Sequence, residues 1–199
     1  MNELQKTRIK LTLKNTWPFY IVSAVLVALL INFVFKLTHK TPDYKTLTLF
    51  ISGEVTNSKK LKSDMLERFK ENDLKEISCI SANPNDSIYN AKLTVPGYSS
   101  ADILIIPTSK LEKIVISDFA LELEEPLISS FYQGFTLYSK DSTNYGIKIN
   151  KEIVKDYMTL PSEDCYMLLN GKSVNIGEYS LKQIKEHDNA LNLVKDWGM

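Results

Sequence analysis

The sequence predicts an α/β protein built from one transmembrane helix followed by a single α/β domain with a largely parallel or mixed sheet. Three observations carry that prediction. Phe19–Phe35 is a 17-residue run in which only Ser23 and Asn32 are not apolar. Two strand-like runs, Leu47–Ile51 and Glu76–Ile80, flank an amphipathic stretch with Leu61, Met65, Leu66 and Phe69 on one helical face, which is the pattern of a βαβ unit. Ser100–Pro107 holds the continuous apolar core Ile103-Leu104-Ile105-Ile106, as expected of a central strand buried on both faces.

Composition narrows the function classes. Of 199 residues, 24 are Lys or Arg and 24 are Asp or Glu. The balance is uneven along the chain. Residues 1–16 hold Lys6, Arg8, Lys10 and Lys14 against Glu3, a net +3, and the remainder carries 20 cations against 23 anions, a net −3. A short basic tail ahead of a mildly acidic body is not the broad cationic face that a nucleic-acid binder needs. One apolar segment excludes a multi-span transporter. The chain beyond that segment is long enough for one core.

The organisation read from the sequence is a cytoplasmic basic tail (1–16), a transmembrane signal anchor (17–35), a stalk (36–45) and an extracytoplasmic α/β domain (46–199). Nineteen residues from Trp17 to Phe35 span about 28 Å as a helix, close to the hydrocarbon thickness of a bilayer. Trp17, Tyr20 and Phe35 lie towards the interfaces, and Pro18 is placed in the first turn, where a missing N–H is tolerated. Lys36-Leu37-Thr38-His39-Lys40 offers no small-x-small cleavage pattern, which favours an uncleaved anchor. The four basic residues before the span orient the N-terminus to the cytoplasm, although Lys36, Lys40 and Lys45 follow it closely. The predicted location is the cell membrane, single-pass.

Within the domain, Asn57 or Ser58 caps the first helix, and Asn83-Pro84-Asn85-Asp86 supplies a turn. Ala91–Val95 reads as a short strand. Ser109 and Glu112 fit a capping box for a helix running through Leu111, Ile114 and Val115. Phe119–Leu127 alternates apolar and acidic residues, the acidic ones forming a solvated face. Phe135–Tyr138 and Tyr145–Ile149 are strands around a polar turn, Ile153, Val154 and Tyr157 form a short helical face, and Tyr166–Leu169 is a further strand. Asp188 precedes a last helix whose buried side is Ala190, Leu193, Val194 and Trp197. Cys79 and Cys165 sit in apolar runs and read as small buried side chains; a bridge would require an oxidising compartment.

The anchor, the Pro42-Asp43 stalk, the Leu47–Ile51 strand and Ser100–Pro107 together resemble the extracellular solute-binding proteins of bacterial ABC importers. Phe119–Leu123, Tyr145-Gly146-Ile147 and the closing segments Tyr166–Ser173 and Ala190–Trp197 extend the resemblance across roughly residues 46–199. It implies a short, membrane-anchored relative reduced to about one lobe, with an ABC permease or other envelope protein as partner and a small molecule as candidate ligand. Two features depart from the family: the length suffices for one lobe of the usual two, and Lys148 stands where the family has Pro after Tyr-Gly-Ile.

The sequence holds no phosphate loop, no nucleophile elbow and no dinucleotide fingerprint. With His39 and His187 alone, one near the membrane and one between Glu186 and Asp188, it offers no metal constellation. No enzyme, no cofactor, no metal and no nucleic-acid partner are therefore expected. In open α/β sheets a ligand sits beyond the carboxyl ends of the strands. This makes Ser52, Gly53 and Glu54 after the first strand, and Thr108 and Ser109 after the central one, the candidate ligand-binding residues; the same residue types also serve as ordinary turns and caps. Two roles are compatible with this reading: recognition or a transporter-accessory function, or envelope protein–protein interaction and assembly without a small ligand.

Overall fold

The computed structural model describes residues 3–38, 41–181 and 187–198, and the chain divides into two compact units, Met1–Lys40 and Thr41–Met199. The first is one helix, α1, Glu3–Thr38. It begins well before the apolar run, so Pro18 lies inside the helix rather than in its first turn. That removes one i→i−4 bond from the interior. Thr16–Phe35 is long and apolar enough to cross a membrane, and none of it is buried. His39 and Lys40 lie outside the described residues.

The second unit runs as β1 (Thr46–Ser52), β2 (Glu54–Val55), α2 (Ser58–Arg68), β3 (Glu76–Ala82), α3 (Tyr89–Lys92), a π-helical turn Leu93–Gly97, α4 (Tyr98–Ser100), β4 (Ile103–Pro107), α5 (Thr108–Leu111), α6 (Glu125–Phe131), β5 (Leu137–Lys140), β6 (Thr143–Lys148), α7 (Lys151–Val154), β7 (Met158–Thr159), β8 (Cys165–Leu169) and α8 (Asn189–Gly198). Six strands form one sheet in the order β3-β1-β4-β8-β6-β5. The β3, β1 and β4 strands are parallel, while β8, β6 and β5 join by antiparallel pairs, so the sheet is mixed.

Alternation along the strands divides the core between two faces. Leu47, Leu49 and Ile51 of β1 and Ile103 and Ile105 of β4 face α2 and α8, where they meet Leu61, Met65, Ala190, Leu193, Val194 and Trp197. Phe50, Leu104 and Ile106 face the other way, against Tyr89, Leu93, Leu111, Ile116 and Phe119. Helices on both faces explain why Ile103–Ile106 is an unbroken apolar run. The α2 helix is capped as the sequence predicts, with Asn57 Oδ1 accepting from Lys60 N at 3.0 Å. The β5–β6 hairpin turns through Asp141 and Ser142, both at positive φ (51° and 66°), as a two-residue hairpin with right-handed twist demands.

Three expected elements differ. Ala91–Val95 is helical rather than a strand, because Tyr89 and Leu93, spaced one helical turn apart, are the buried pair and Val95 is exposed. The α5 helix stops at Leu111 and has no side-chain cap, so the Ser109–Glu112 capping box does not form. Val115, expected on its buried face, is exposed. Cys165 is buried as expected, whereas Cys79 is only half-buried; both thiols are free.

The amino-terminal ends of β1 and β4 are tied by a buried polar network. Asp102 is 7% exposed, and its carboxylate accepts from Thr48 N at 2.7 Å, from the Ser173 hydroxyl and from Asn175 Nδ2 at 3.2 Å. Asn170 Nδ2 donates to the carbonyls of Ala101 (2.8 Å) and Tyr98 (3.0 Å), and Asn175 Nδ2 donates to Thr46 O at 3.0 Å. Buried polar groups hold a fold only when they are satisfied, and here each has its partner. The network pins the chain after β8 across the start of the parallel strands, which sets where α8 packs.

Candidate functional site

The strand directions gather one edge. Ile51 of β1 pairs with Ile105 of β4, Pro107 at the end of β4 faces Cys165 at the start of β8, and Tyr166 faces Lys148 at the end of β6. The carboxyl ends of β1, β4 and β6 therefore share one edge of the sheet, with the amino end of β8 between the last two. A segment running from Tyr157 through β7 to Asp164 crosses this edge as a strap.

The structure places the five predicted residues along this edge, but the chain itself fills the space in front of them. Ser52 is fully buried and its hydroxyl shares a 2.7 Å hydrogen bond with the Tyr89 hydroxyl. Gly53 lies so close to the strap that a Cβ there would clash with Thr159 O. Glu54 is exposed and pairs through its backbone with Thr159 in a small antiparallel ribbon. Thr108 donates both N–H and Oγ1–H to Asp164 O, each at 3.0 Å. Ser109 donates its N–H to Glu163 Oε2 at 2.9 Å and its hydroxyl to Glu163 Oε1 at 2.7 Å. The Asp164 carbonyl and the Glu163 carboxylate thus take the Thr108 and Ser109 donors that the sequence offers to a ligand.

Beneath the strap the groups are poor in reactivity. Burial, only partly offset by the Ser52 hydrogen bond, pushes the Tyr89 hydroxyl up to about 12, and Lys110 Nζ lies 5.1 Å above the Tyr89 ring. Burial likewise raises the Cys165 thiol to about 11; it donates to Glu163 O at 3.6 Å. A thiol held protonated is a weak nucleophile. Among the described residues no group of three or more His, Cys, Asp or Glu side chains converges to hold a metal ion. His187 is half-buried and stacks on Tyr44 with ring centroids 4.7 Å apart.

Open space lies further along the same edge, at the end of β6. A groove of about 550 Å³ is lined by Thr136, Lys148, Asn150, Lys151, Ser162 and Asp164, among others. Lys148 Nζ bridges to Asp164 Oδ2 at 2.7 Å, which raises the lysine above its ordinary value. Lys151 Nζ reaches the carbonyls of Pro161, Ser162 (2.9 Å) and Glu163, tying the strap to α7. Asn150 Oδ1 accepts from Glu152 N at 3.1 Å. The arrangement is polar and hydrogen-bonding, and its cations are already engaged by the chain's own oxygens. Sequence reasoning missed these residues. The one signal available was Lys148, the departure noted after Tyr145-Gly146-Ile147.

The fold and edge define an α/β domain with a mixed six-stranded sheet, preceded by an apolar helix. No protein-family model matches the chain, and no curated protein matches it. Among solved structures, the chain is similar to the maltose/maltodextrin-binding domain MalE from Bdellovibrio bacteriovorus bound to maltotriose. The TM-score is 0.39 with 15% sequence identity over 52% of this chain and 28% of that chain, so the match spans less than a third of the other protein.

Proposed function

We propose that this is a single-pass membrane protein whose α/β domain stands outside the cytoplasm and serves in recognition or as a transporter accessory, without catalysis. The observation that carries the reading is the Thr16–Phe35 segment, strongly apolar and with none of it buried. Twenty such residues left in water would be an unusually large apolar surface, and they match a bilayer in length. In this reading residues 1–16 are cytoplasmic, 36–45 form the stalk, and an ABC permease is the partner. The β6 groove joins Ser52–Glu54, Thr108 and Ser109 as the place to look for a small ligand.

Thermal unfolding of residues 41–199 against sugar, peptide and amino-acid libraries tests the ligand. A reproducible rise in midpoint with one class supports it, because a ligand that binds the folded state stabilises it by mass action. Orientation needs a more reactive probe than the native cysteines, since Cys79 is half-buried and Cys165 buried. A Ser87→Cys variant, at an exposed loop position, should react with a membrane-impermeant maleimide in intact cells. Reaction only after lysis would overturn the orientation.

A second reading is an envelope interaction or assembly factor that uses the domain without a small ligand. The strap favours it: Tyr89, Thr159 and Glu163 occupy the edge at β1 and β4 that a ligand would need. Crosslinking in native membranes separates the two. Recovery of an importer permease supports the first, and a non-transport envelope protein the second.

A further inference from the structure

Two polar residues, Ser23 and Asn32, interrupt the apolar segment of α1. They differ in what their own helix can do for them. A serine hydroxyl can return to a carbonyl one turn earlier. An asparagine carboxamide brings two donors and an acceptor, and the Asn32 side chain is exposed and makes no hydrogen bond among the described residues. It is followed by Phe33, Val34 and Phe35, which keep it about one turn inside the span. In hydrocarbon an unpaired carboxamide is costly, so such a group marks the face of a helix that meets another polar group.

The residues on that face fit a close approach. Ala24, Ala28 and Asn32 succeed one another at intervals of four along a single ridge of the helix, about 12 Å from first to last. The two alanines let backbones come near each other. The carboxamide is self-complementary: two copies related by a two-fold axis can each donate to and accept from the other. Leu26 and Leu30 project from the opposite side of the helix, towards lipid.

We propose that α1 pairs with the α1 of a second copy of this chain across the Ala24–Ala28–Asn32 face, the two Asn32 carboxamides bonded to each other. This rests on the reading that Thr16–Phe35 lies in a bilayer. Single-molecule photobleaching of the full chain, labelled at its amino terminus and reconstituted in phosphatidylcholine vesicles over a range of protein-to-lipid ratios, tests it. Two-step bleaching is expected as density rises. Asn32→Leu and Ala28→Ile should each raise the dissociation constant about three- to tenfold. Asn32→Gln should keep most of the pairing, and Leu30→Ile should leave it unchanged. Release of the chain from the vesicles by alkaline wash would overturn the membrane reading and the pairing together. Retention with one-step bleaching at every density would overturn the pairing alone. Dimers insensitive to both Asn32→Leu and Ala28→Ile would overturn this face as the interface.

Discussion

The two edges of the sheet use one device in two surroundings. At the amino edge the Asp102 carboxylate accepts a backbone N–H from Thr48 and a hydroxyl from Ser173. At the carboxyl edge the Glu163 carboxylate accepts a backbone N–H and a hydroxyl from Ser109. Asp102 is buried and Glu163 exposed. Buried donors that lose their acceptor have no water to replace it, whereas exposed ones do. The amino edge is therefore locked, and the carboxyl edge, where the candidate residues lie, is held by a fastening that solvent can compete for.

The largest effect should come from unlocking the first edge. Asp102→Ala strands the Thr48 N–H and the Ser173 hydroxyl proton and takes one of two acceptors from the Asn175 amide, which keeps Thr46 O. The expected loss is about 3–4 kcal/mol, read as a fall in the urea midpoint of the 41–199 unit. Glu163→Ala should lose less than about 1 kcal/mol in the same measurement. Equal losses in the two variants would erase the contrast between the edges.

A second, intermediate effect tests how tightly the strap is seated. Gly53→Ala would drive a Cβ against Thr159 O, a backbone atom that can move only if the β2–β7 ribbon moves with it. Overpacking of this kind costs about 1–3 kcal/mol. Amide exchange should quicken at Thr56 and Asn57, whose N–H groups donate to Tyr157 O. An unchanged midpoint and unchanged exchange would mean that the strap is looser than its contacts imply.

These contrasts also show which parts of the molecule the sequence made legible. The β1–α2–β3 unit, the central β4 strand and the α8 face with Trp197 were all readable, because burial on a known face leaves a periodic trace. Ala91–Val95 failed because a short apolar run has the same composition as a strand or a helical turn. The sheet turns antiparallel after β4. The β5–β6 pair is joined by a two-residue hairpin, and the link from β6 to β8 carries only the four-residue α7 in place of the long helix of a parallel crossover. At the site, the choice of edge came from strand direction alone. What filled that edge did not, since Ser109 meets Glu163 from 54 residues away and Ser173 meets Asp102 from 71. The sequence pattern registers faces, and long-range polar partners leave no periodicity in it.

Alkaline pH offers a smaller effect specific to the carboxyl edge. Burial raises the Cys165 thiol from its ordinary 9.0 to about 11. A raised pKa means that the folded state keeps its proton where the unfolded chain has lost it. Stability from this group is thus intact below about pH 9 and is lost progressively as pH climbs towards 11. Cys165→Ala should flatten that part of the stability profile, measured by urea denaturation at a series of pH values. Tyr89, pushed by burial from its ordinary 10.0 up to about 12, adds its own loss from about pH 10 upward in both proteins. A profile of the same slope with and without Cys165 would mean that the thiol is hydrated in the folded state.

The smallest expected change in stability gives the most direct view of the strap. Cys165 is fully buried at the start of β8, directly beneath Glu163, so a thiol reagent reaches it only when the strap lifts. At about pH 8, below both raised thiol values, its modification should lag well behind that of the half-buried Cys79, both compared with the unfolded chain. Glu163→Gln keeps the side chain's size but leaves one acceptor oxygen for the two Ser109 donors. The bond to that oxygen loses its charge assistance, and the other persists only if the Ser109 hydroxyl turns to accept from the amide. Modification of Cys165 should then quicken several-fold, while Cys79, on β3 at the far side of β1, keeps its rate. The ratio of the two rates, followed by mass spectrometry, isolates local opening from global unfolding, because unfolding would accelerate both. If both rates rise together, Glu163 holds the whole domain rather than its edge. If neither moves, Lys151 and the three carbonyls it gathers hold the strap without the carboxylate.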